Sequence, residues 1–148
     1  MKKPELLAPA GSFEKAKVAF MYGADAVYCG TASLSLRSRA EVDDNDLEKT
    51  IKYAHSIGKK VYAALNIYAW DTNYEEIEKQ VKMLDEVHVD AIIASDGGVI
   101  QKIREIAPNI EIHVSTQANV VSYHAAKFWY DYGAKRVILG RETSKDQI

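Results

Sequence analysis

A group of uncharged hydrogen-bonding side chains follows a short apolar pattern in the run Ile112-His113-Val114-Ser115-Thr116-Gln117-Ala118-Asn119. The alternating Ile112 and Val114 can bury one face of a strand. A cluster of hydroxyl and amide side chains directly after a strand is typical of a site that binds a polar ligand. We therefore interpret the polar end of this run as one wall of a binding site, formed by Ser115, Gln117 and Asn119.

The histidine of this run, His113, alternates with its apolar neighbours and is expected on the opposite face of the strand. A hydrogen-bonded core histidine is favoured at that position over a catalytic base, and His113 is also among the predicted substrate-binding residues. A catalytic pair with Ser115 is not predicted, because residues two apart on a strand lack the bend that brings a base to a nucleophile. The sequence also has no His-Glu-x-x-His zinc motif and no Gly-x-Ser-x-Gly elbow.

The elements that must position these residues alternate between strand and helix patterns, which indicates an α/β fold. Helix starts are marked by polar capping residues, among them Ser12, the pair Asn45 and Glu48, and the pair Asn73 and Glu76. The predicted strands are residues 6–8, 26–29, 60–65, 91–94, 112–119 and 136–139, and the predicted helices begin near residues 12, 45, 73, 97, 122 and 144.

A weak internal repeat narrows the architecture. Residues 22–28 resemble residues 132–138, and residues 88–93 form a looser copy between them. Such repeats, without a Gly-x-Gly-x-x-Gly turn after the first strand, favour a (β/α) TIM-barrel-like fold over an open nucleotide-binding sheet. Six of the usual eight strand-helix units are recognised, so we predict that residues 1–148 form a single, incomplete barrel domain with two unpaired strand edges.

Residues that directly follow barrel strands meet on one rim, which carries the active site in barrels of this type. That rim is expected to combine arginines, acids and amides from segments far apart in sequence, a composition suited to a small anionic ligand held by bidentate guanidinium contacts. Besides the run that ends at Asn119, the predicted substrate-binding residues are Arg37, Arg39, Asn66, Asp96, Arg141 and Glu142.

Simpler roles remain open for several of these residues. Arg37 and Arg39 could solvate a loop, and Arg141 with Glu142 could form a surface ion pair of little energetic value. Asp96 precedes two glycines and is better explained as a helix cap than as a catalytic acid. The two tryptophans, Trp70 and Trp129, are interpreted as core or interface aromatics.

Composition restricts the class of protein. The chain has 148 residues, a net charge of -2, 47% hydrophobic and 27% charged residues, which is ordinary for a soluble domain and provides no overall basic field for nucleic acid. No apolar run reaches the roughly 18 residues of a membrane helix, so we expect a cytoplasmic protein without membrane partners. Cys29 is the only cysteine, which excludes an internal disulfide and a cysteine-built metal site, and a structural thiol is favoured over a reactive one.

Several motifs together, in their order and spacing, resemble the amino-terminal part of the collagenase-like peptidase family, whose catalytic type is unassigned. The motifs are residues 5–12, 22–28 and 36–40, Asn66, and residues 113–119 and 133–137. Members of this family are named proteases (hydrolases), and others take part in hydroxylation of tRNA uridine, rRNA cytidine or a quinone precursor. The resemblance also implies prephenate for the RNA-modifying branch and an iron–sulfur cluster held by four cysteines in some members.

The family's cysteine-rich segment lies beyond the position that aligns with Ile148, so this chain is expected to be an amino-terminal fragment that holds no cofactor and has no activity alone. No catalytic residue and no metal ligand is assigned. For the whole protein, the resemblance implies hydroxylation of tRNA uridine or rRNA more than peptide hydrolysis, with any RNA contact made through missing regions. The alternative is a noncatalytic binding or assembly module whose open barrel edges recruit a partner or a second copy.

Overall fold

The computed structural model describes residues 3–31, 34–35 and 41–148, and in this part of the chain strands alternate with helices. Short 3-10 turns lie at Asp71–Asn73, Thr116–Ala118 and Lys145–Gln147. The strands and helices are β1 (Leu7–Pro9), α1 (Phe13–Met21), β2 (Ala26–Thr31), β3 (Glu41–Val42), α2 (Asp44–Ser56), β4 (Lys60–Leu65), α3 (Tyr74–Glu86), β5 (Ala91–Ala94), α4 (Gly97–Ile106), β6 (Glu111–Val114), α5 (Tyr123–Asp131) and β7 (Arg136–Val137).

The strands form one parallel sheet in the order β1-β2-β4-β5-β6-β7, with the short β3 paired to the end of β2. Each neighbour in this order follows the previous one along the chain through a helical crossover, as parallel strands require. The sheet is curled like part of a barrel. The predicted incomplete (β/α) barrel is therefore confirmed.

Both faces of this sheet are apolar, and they bury different sets of side chains. On β4, Val61, Ala63 and Leu65 pack with the helices, whereas Tyr62 and Ala64 belong to a smaller cluster on the inner side of the curl. Strand β5 divides in the same way. This two-sided burial is expected when helices cover a parallel sheet, and it explains why the strand patterns are continuous apolar runs.

Ser12 and Ser122 are confirmed as helix caps by their hydrogen bonds, whereas Asn73 precedes α3 as predicted but makes no side-chain capping bond to it. Ser12 accepts from the Lys15 N–H at 3.2 Å, and Ser122 accepts from the Ala125 N–H at 3.3 Å. The predicted pair of Asn45 and Glu48 is wrong. Helix α2 begins two residues earlier than that pair implies, because the Asp43 carboxylate accepts from the Asp46 N–H at 2.8 Å and thereby satisfies a free donor of the first turn.

Four other details differ from the predicted elements. The strand predicted at residues 112–119 ends at Val114, and a 3-10 turn follows it at Thr116–Ala118. Strand β3 was not predicted, since a two-residue bridge carries no periodic signal. The predicted strand at 136–139 pairs only through Arg136 and Val137. The last segment forms a 3-10 turn preceded by Ser144 instead of the start of an α-helix.

The sheet has an open edge at β7, which pairs only with β6 among the described residues. Helix α5, which packs beside it, has no fully buried residue and exposes Tyr123, Phe128 and Tyr130 by 60 to 73%. Across the interior, the Arg136 guanidinium of β7 donates to the Glu5 carboxylate just before β1 at 2.7 Å. This ion pair connects the last strand to the first without closing the sheet.

Candidate functional site

The carboxyl ends of the parallel strands enclose a cavity of about 150 Å³. Its apolar lining comes from several strands and includes Leu7, Ala64, Ile93 and Ile138. The polar lining comes from segments that directly follow strands, and it includes Asn66, Ser115, Thr116 and Gln117. A small apolar pocket with a few converging polar groups is the usual form of a ligand site in this fold.

Gln117 is the centre of the polar network in this cavity. Its side-chain oxygen accepts a hydrogen bond from the Asn66 amide at 3.2 Å and another from the Ser115 hydroxyl. The Thr116 hydroxyl lies 3.5 Å from the same oxygen. The amide nitrogen of Gln117 makes no hydrogen bond within the described part of the chain, so both of its N–H donors remain for a ligand.

Two further cavities adjoin the first, and Gln117 lines all three. The cavity on the side of β4 and β5, of about 370 Å³, is lined by residues 66–70, Ser95, Asp96 and Gln117. The cavity on the side of β7, of about 130 Å³, is lined by Thr116, Gln117, Asn119, Arg141 and Glu142. The 3-10 turn at Thr116–Ala118 therefore stands in the middle of the rim, and we call these three adjoining cavities the rim pocket.

The structure brings seven of the predicted site residues to the rim pocket: Asn66, Asp96, Ser115, Gln117, Asn119, Arg141 and Glu142. Asn66 and Ser115 are buried, whereas Asn119 and Arg141 are exposed. Among the described residues, Arg141 forms no ion pair with Glu142, so the simple surface pair is not what places them there. Arg37 and Arg39 lie outside the described residues.

Asp96 is a helix cap. Its carboxylate accepts from the Val99 N–H at 3.0 Å at the start of α4, and the Tyr74 hydroxyl lies 3.4 Å away. One of its oxygens is therefore committed to the first turn of α4 even though the residue lines a cavity. This is the simpler of the two roles considered for it.

His113 points to the inner side of the sheet, as its alternation predicts, but it does not line the rim pocket. It lies on β6 two residues before Ser115, which follows the end of that strand, and its side chain is 1% exposed. The ring packs edge-on against Tyr62, with 4.6 Å between ring centroids. The neighbouring Glu111 carboxylate is 3.5 Å from Nε2, which makes no hydrogen bond with good geometry within the described residues.

Tyr62 connects this inner layer to the amino end of the sheet. It is fully buried, and its hydroxyl donates to the Glu5 carboxylate at 2.9 to 3.0 Å. The Arg136 guanidinium pairs with the same carboxylate and lies 5.3 Å from the centroid of the Tyr62 ring. We call Glu5, Tyr62, His113 and Arg136 the inner polar layer, which the sequence patterns did not reveal because each member comes from a different element.

The protonation states in this layer follow from burial and charge. The Arg136 hydrogen bond holds the pKa of Glu5 below its usual value. Burial, reinforced by the Glu5 carboxylate, raises the pKa of Tyr62 to about 12. Burial, reinforced by the positive charge of Arg136, lowers the pKa of His113 to about 4. His113 is therefore neutral at pH 7, while Glu5 and Arg136 are charged.

The geometry contains no activated nucleophile formed by Ser115 and His113. The Ser115 hydroxyl donates to Gln117, and the His113 Nε2 lies 3.5 Å from the carboxylate of Glu111 on its own strand. A serine nucleophile needs a base within hydrogen-bond reach of its hydroxyl. These two residues do not supply peptide-hydrolysis chemistry in this arrangement.

Cys29 does not fit the iron–sulfur cluster that the family resemblance implies. A cluster of this kind requires several thiolates, usually four, and the chain has one cysteine. That cysteine is 1% exposed and packs on the helix-covered side of β2. Burial raises the pKa of its thiol to about 12, so it is protonated and structural, as the sequence favoured.

Several residues of the rim pocket were not among the predicted site residues. Leu7, Tyr28 and Ile138 were hidden because apolar inward-facing residues give the same signal as core residues. Tyr68 and Trp70 were missed because nothing in the sequence separates an exposed aromatic from a buried one. The structure excludes the core interpretation for Trp70, which is 73% exposed.

Comparison with known proteins identifies the family. The model of peptidase family U32 matches residues 11–148. The chain belongs to peptidase family U32. Relatives within this family include the tRNA hydroxylation protein P of Haemophilus influenzae, which is 46% identical over 99% of this chain and 32% of its own length. The 23S rRNA 5-hydroxycytidine C2501 synthase of Escherichia coli is 35% identical over 97% of this chain and 22% of its own length.

This U32 chain thus spans about a third or less of the length of these relatives. A solved U32 peptidase has a similar fold, with a TM-score of 0.75 at 14% identity, over 93% of this chain and 58% of that one. Because the identity is low, this likeness supports the barrel fold alone. Among the described residues, no helix combines the length and apolar character needed to cross a bilayer.

Proposed function

We propose that this U32 chain is the ligand-binding barrel part of a protein that takes part in hydroxylation of a pyrimidine nucleoside in tRNA or rRNA. The observation that carries the proposal is the position of Gln117, which lines three adjoining cavities and keeps two N–H donors for a ligand. Its neighbours Asn66, Ser115 and Thr116 are neutral, which suits the carbonyl and imide groups of a pyrimidine ring. The reaction class comes from the relatives, a tRNA hydroxylation protein and an rRNA 5-hydroxycytidine synthase.

Peptide hydrolysis is less well supported by the same residues. The Ser115 hydroxyl donates its hydrogen bond to the Gln117 amide oxygen, which cannot act as a general base. His113 is buried in the sheet interior and does not line the pocket. A hydroxylation step needs an oxygen source and an electron acceptor that this chain does not hold, so its own residues are assigned binding and positioning only. A cytoplasmic location goes with an RNA substrate and is part of the proposal.

Gln117→Ala is expected to lower the hydroxylated nucleoside in cellular RNA by about tenfold or more, because the pocket loses both donors and the oxygen that holds Asn66 and Ser115. The measurement is nucleoside mass spectrometry of tRNA and rRNA from a strain whose only copy of the gene carries the substitution.

Gln80→Ala is the matched control, since Gln80 is an amide on α3 that bonds Asp44 on the helical side of the protein. It is expected to leave the nucleoside level unchanged. If deletion of the whole gene alters no modified nucleoside, the proposed reaction class is wrong.

We further propose that the same rim binds a small anion next to Arg141, with prephenate as the probe. Arg141 lies at the carboxyl-end rim with Thr116 and Asn119, and it forms no ion pair with Glu142 among the described residues. An exposed guanidinium flanked by hydroxyl and amide groups is a suitable partner for a carboxylate. The nearby Glu142 carboxylate opposes such a ligand and restricts it to the side that carries the amides.

Arg141→Ala is expected to weaken prephenate binding about tenfold in calorimetric titration, and Arg141→Lys to weaken it less, because lysine keeps the charge and loses the bidentate geometry. Lys52→Ala, which removes an exposed cation from α2, is the control and is expected to bind normally. Equal affinities for wild type and Arg141→Ala would remove Arg141 from the site.

A noncatalytic assembly module is the second candidate. The open edge of β7 and the exposed aromatics of α5 favour it, because such a surface is often covered by another chain or a further segment. It requires a stable complex of the chain with a partner chain or with a second copy, which sedimentation of the purified complex at several concentrations would detect. The proposals for Gln117 and Arg141 do not require one.

A further inference from the structure

Two aromatic side chains stand exposed at the rim, directly after β4. Tyr68 is 75% exposed and Trp70 is 73% exposed. Within the described residues, neither ring stacks on another aromatic side chain or on a cation. The two large rings are only two positions apart and together form a local exposed apolar surface, and such surfaces commonly mark a binding site.

These rings belong to the rim pocket. They line the cavity of about 370 Å³ together with Asn66 and Gln117, and the same two amides line the inner cavity. Asn66 and Gln117, which are joined by a hydrogen bond, lie between these two cavities. A ligand that reaches the inner cavity from this side therefore passes Tyr68 and Trp70.

The backbone that presents Trp70 is fixed. Its N–H donates to the Asn73 side chain at 2.9 Å, and its carbonyl accepts from the Asn73 N–H at 2.8 Å. These reciprocal bonds close the 3-10 turn before α3. A ring held out on a rigid turn loses little conformational entropy on binding, in contrast to one on an unstructured loop.

The polar groups beside the rings are mostly neutral. Asn66, Ser95 and Gln117 carry no charge, and the Asp96 carboxylate already accepts from the Val99 N–H. An exposed flat π-surface next to amide groups suits a planar, hydrogen-bonding ring more than an aliphatic chain or a phosphate. Unpaired nucleobases bind in this way, with their faces stacked on aromatic side chains and their edges hydrogen-bonded.

We propose that Tyr68 and Trp70 form a stacking platform for an unpaired base of the RNA that this protein acts on. The platform holds one base, and the neighbouring Asn66 and Gln117 amides meet the edge of the nucleotide that enters the pocket. This inference rests on the proposed function and adds the residues that bind RNA. Stacking on a π-surface is tolerant of sequence, so the platform contributes affinity while the amides select the base.

The test uses the intact chain with Trp129→Phe, which leaves Trp70 as the only tryptophan. A short single-stranded oligouridylate is expected to quench Trp70 fluorescence in low salt with a saturable curve. An abasic strand of the same length carries the phosphates without bases and is expected to give little quenching.

A second assay does not depend on tryptophan and measures the fluorescence anisotropy of a labelled oligouridylate. In this assay Trp70→Ala is expected to weaken binding about tenfold or more, and Trp70→Phe is expected to retain most of the affinity.

Tyr22→Ala is the matched control, because Tyr22 is an equally bare tyrosine, 85% exposed, at the opposite end of the strands. It is expected to bind the oligonucleotide normally. The platform is overturned if Trp70→Ala binds like wild type, if the abasic strand quenches as well as the oligouridylate, or if Trp70 fluorescence changes with protein concentration alone, which would mark a contact between copies. The two proposals can fail separately. If Trp70→Ala binds RNA normally while Gln117→Ala still loses the modified nucleoside, the platform is refuted and the proposed function stands.

Discussion

Tyr62→Ala is expected to lower the free energy of unfolding by about 3 to 5 kcal/mol, the usual cost of deleting a large aromatic side chain from a core. The ring is fully buried on the inner side of the sheet and packs edge-on against His113. Its loss leaves a cavity on the inner side of the sheet, which adds to the lost burial of the ring. Chemical denaturation followed by circular dichroism measures the effect.

Tyr62→Phe separates the hydroxyl from the ring. It keeps the packing and removes the hydrogen bonds to Glu5, so we expect a loss of about 1 to 2 kcal/mol, at the low end for a bond to a charged group because Glu5 is partly exposed and also pairs with Arg136. Tyr130→Ala, at an exposed position on α5, is the control and is expected to change stability by less than about 0.5 kcal/mol. Equal losses for Tyr62→Phe and Tyr62→Ala would mean that packing contributes nothing there.

The second large effect is a loss of stability in acid caused by His113. In the unfolded chain a histidine takes up a proton near pH 6.5, whereas burial and Arg136 lower the pKa of His113 in the folded state to about 4. Between these values the unfolded state binds more protons, so the free energy of unfolding falls as the pH falls from about 6.5 to about 4. The full effect of this one residue is on the order of 3 kcal/mol, and it is absent above pH 6.5.

The measurement is a series of denaturation curves from pH 7.5 to pH 4 for wild type and His113→Phe. The variant keeps a ring against Tyr62 and cannot titrate, so its stability is expected to depend less steeply on pH in that window. Glu5, whose pKa Arg136 lowers, adds a loss at more acid pH in both proteins. Parallel curves for the two proteins would show that His113 does not titrate as its burial requires.

Much of the fold was predictable because each strand and helix leaves a local signal. The apolar runs at Val61–Leu65 and Ala91–Ala94, the caps at Ser12 and Ser122, and the alternation of strand with helix lead to a parallel barrel without any knowledge of long-range contacts. The start of α2 was misplaced because all four residues at positions 43–46 have side chains that can cap a helix, and only the folded backbone selects Asp43.

The candidate site was partly predictable for a related reason. Side chains that follow parallel strands must meet at one rim, so Asn66, Ser115 and Gln117 could be grouped from their positions in the sequence. The sequence could not show which of them is central, because Ser115, Thr116 and Gln117 are consecutive residues that can all hydrogen-bond to a ligand. The fold makes Gln117 the centre by setting its side chain between three cavities.

The sequence by itself determined the fold class, the rim on which the candidate site residues gather and the absence of enough cysteines for an iron–sulfur cluster, since all three follow from local patterns or from counting. Only the tertiary structure decided that Asp96 caps α4, that Trp70 is exposed, and that Glu5 and Arg136 pair across 131 positions of the chain. The physical reason is that burial and partnership depend on which elements pack together, and residues of the same type give the same sequence signal whether they are buried or exposed.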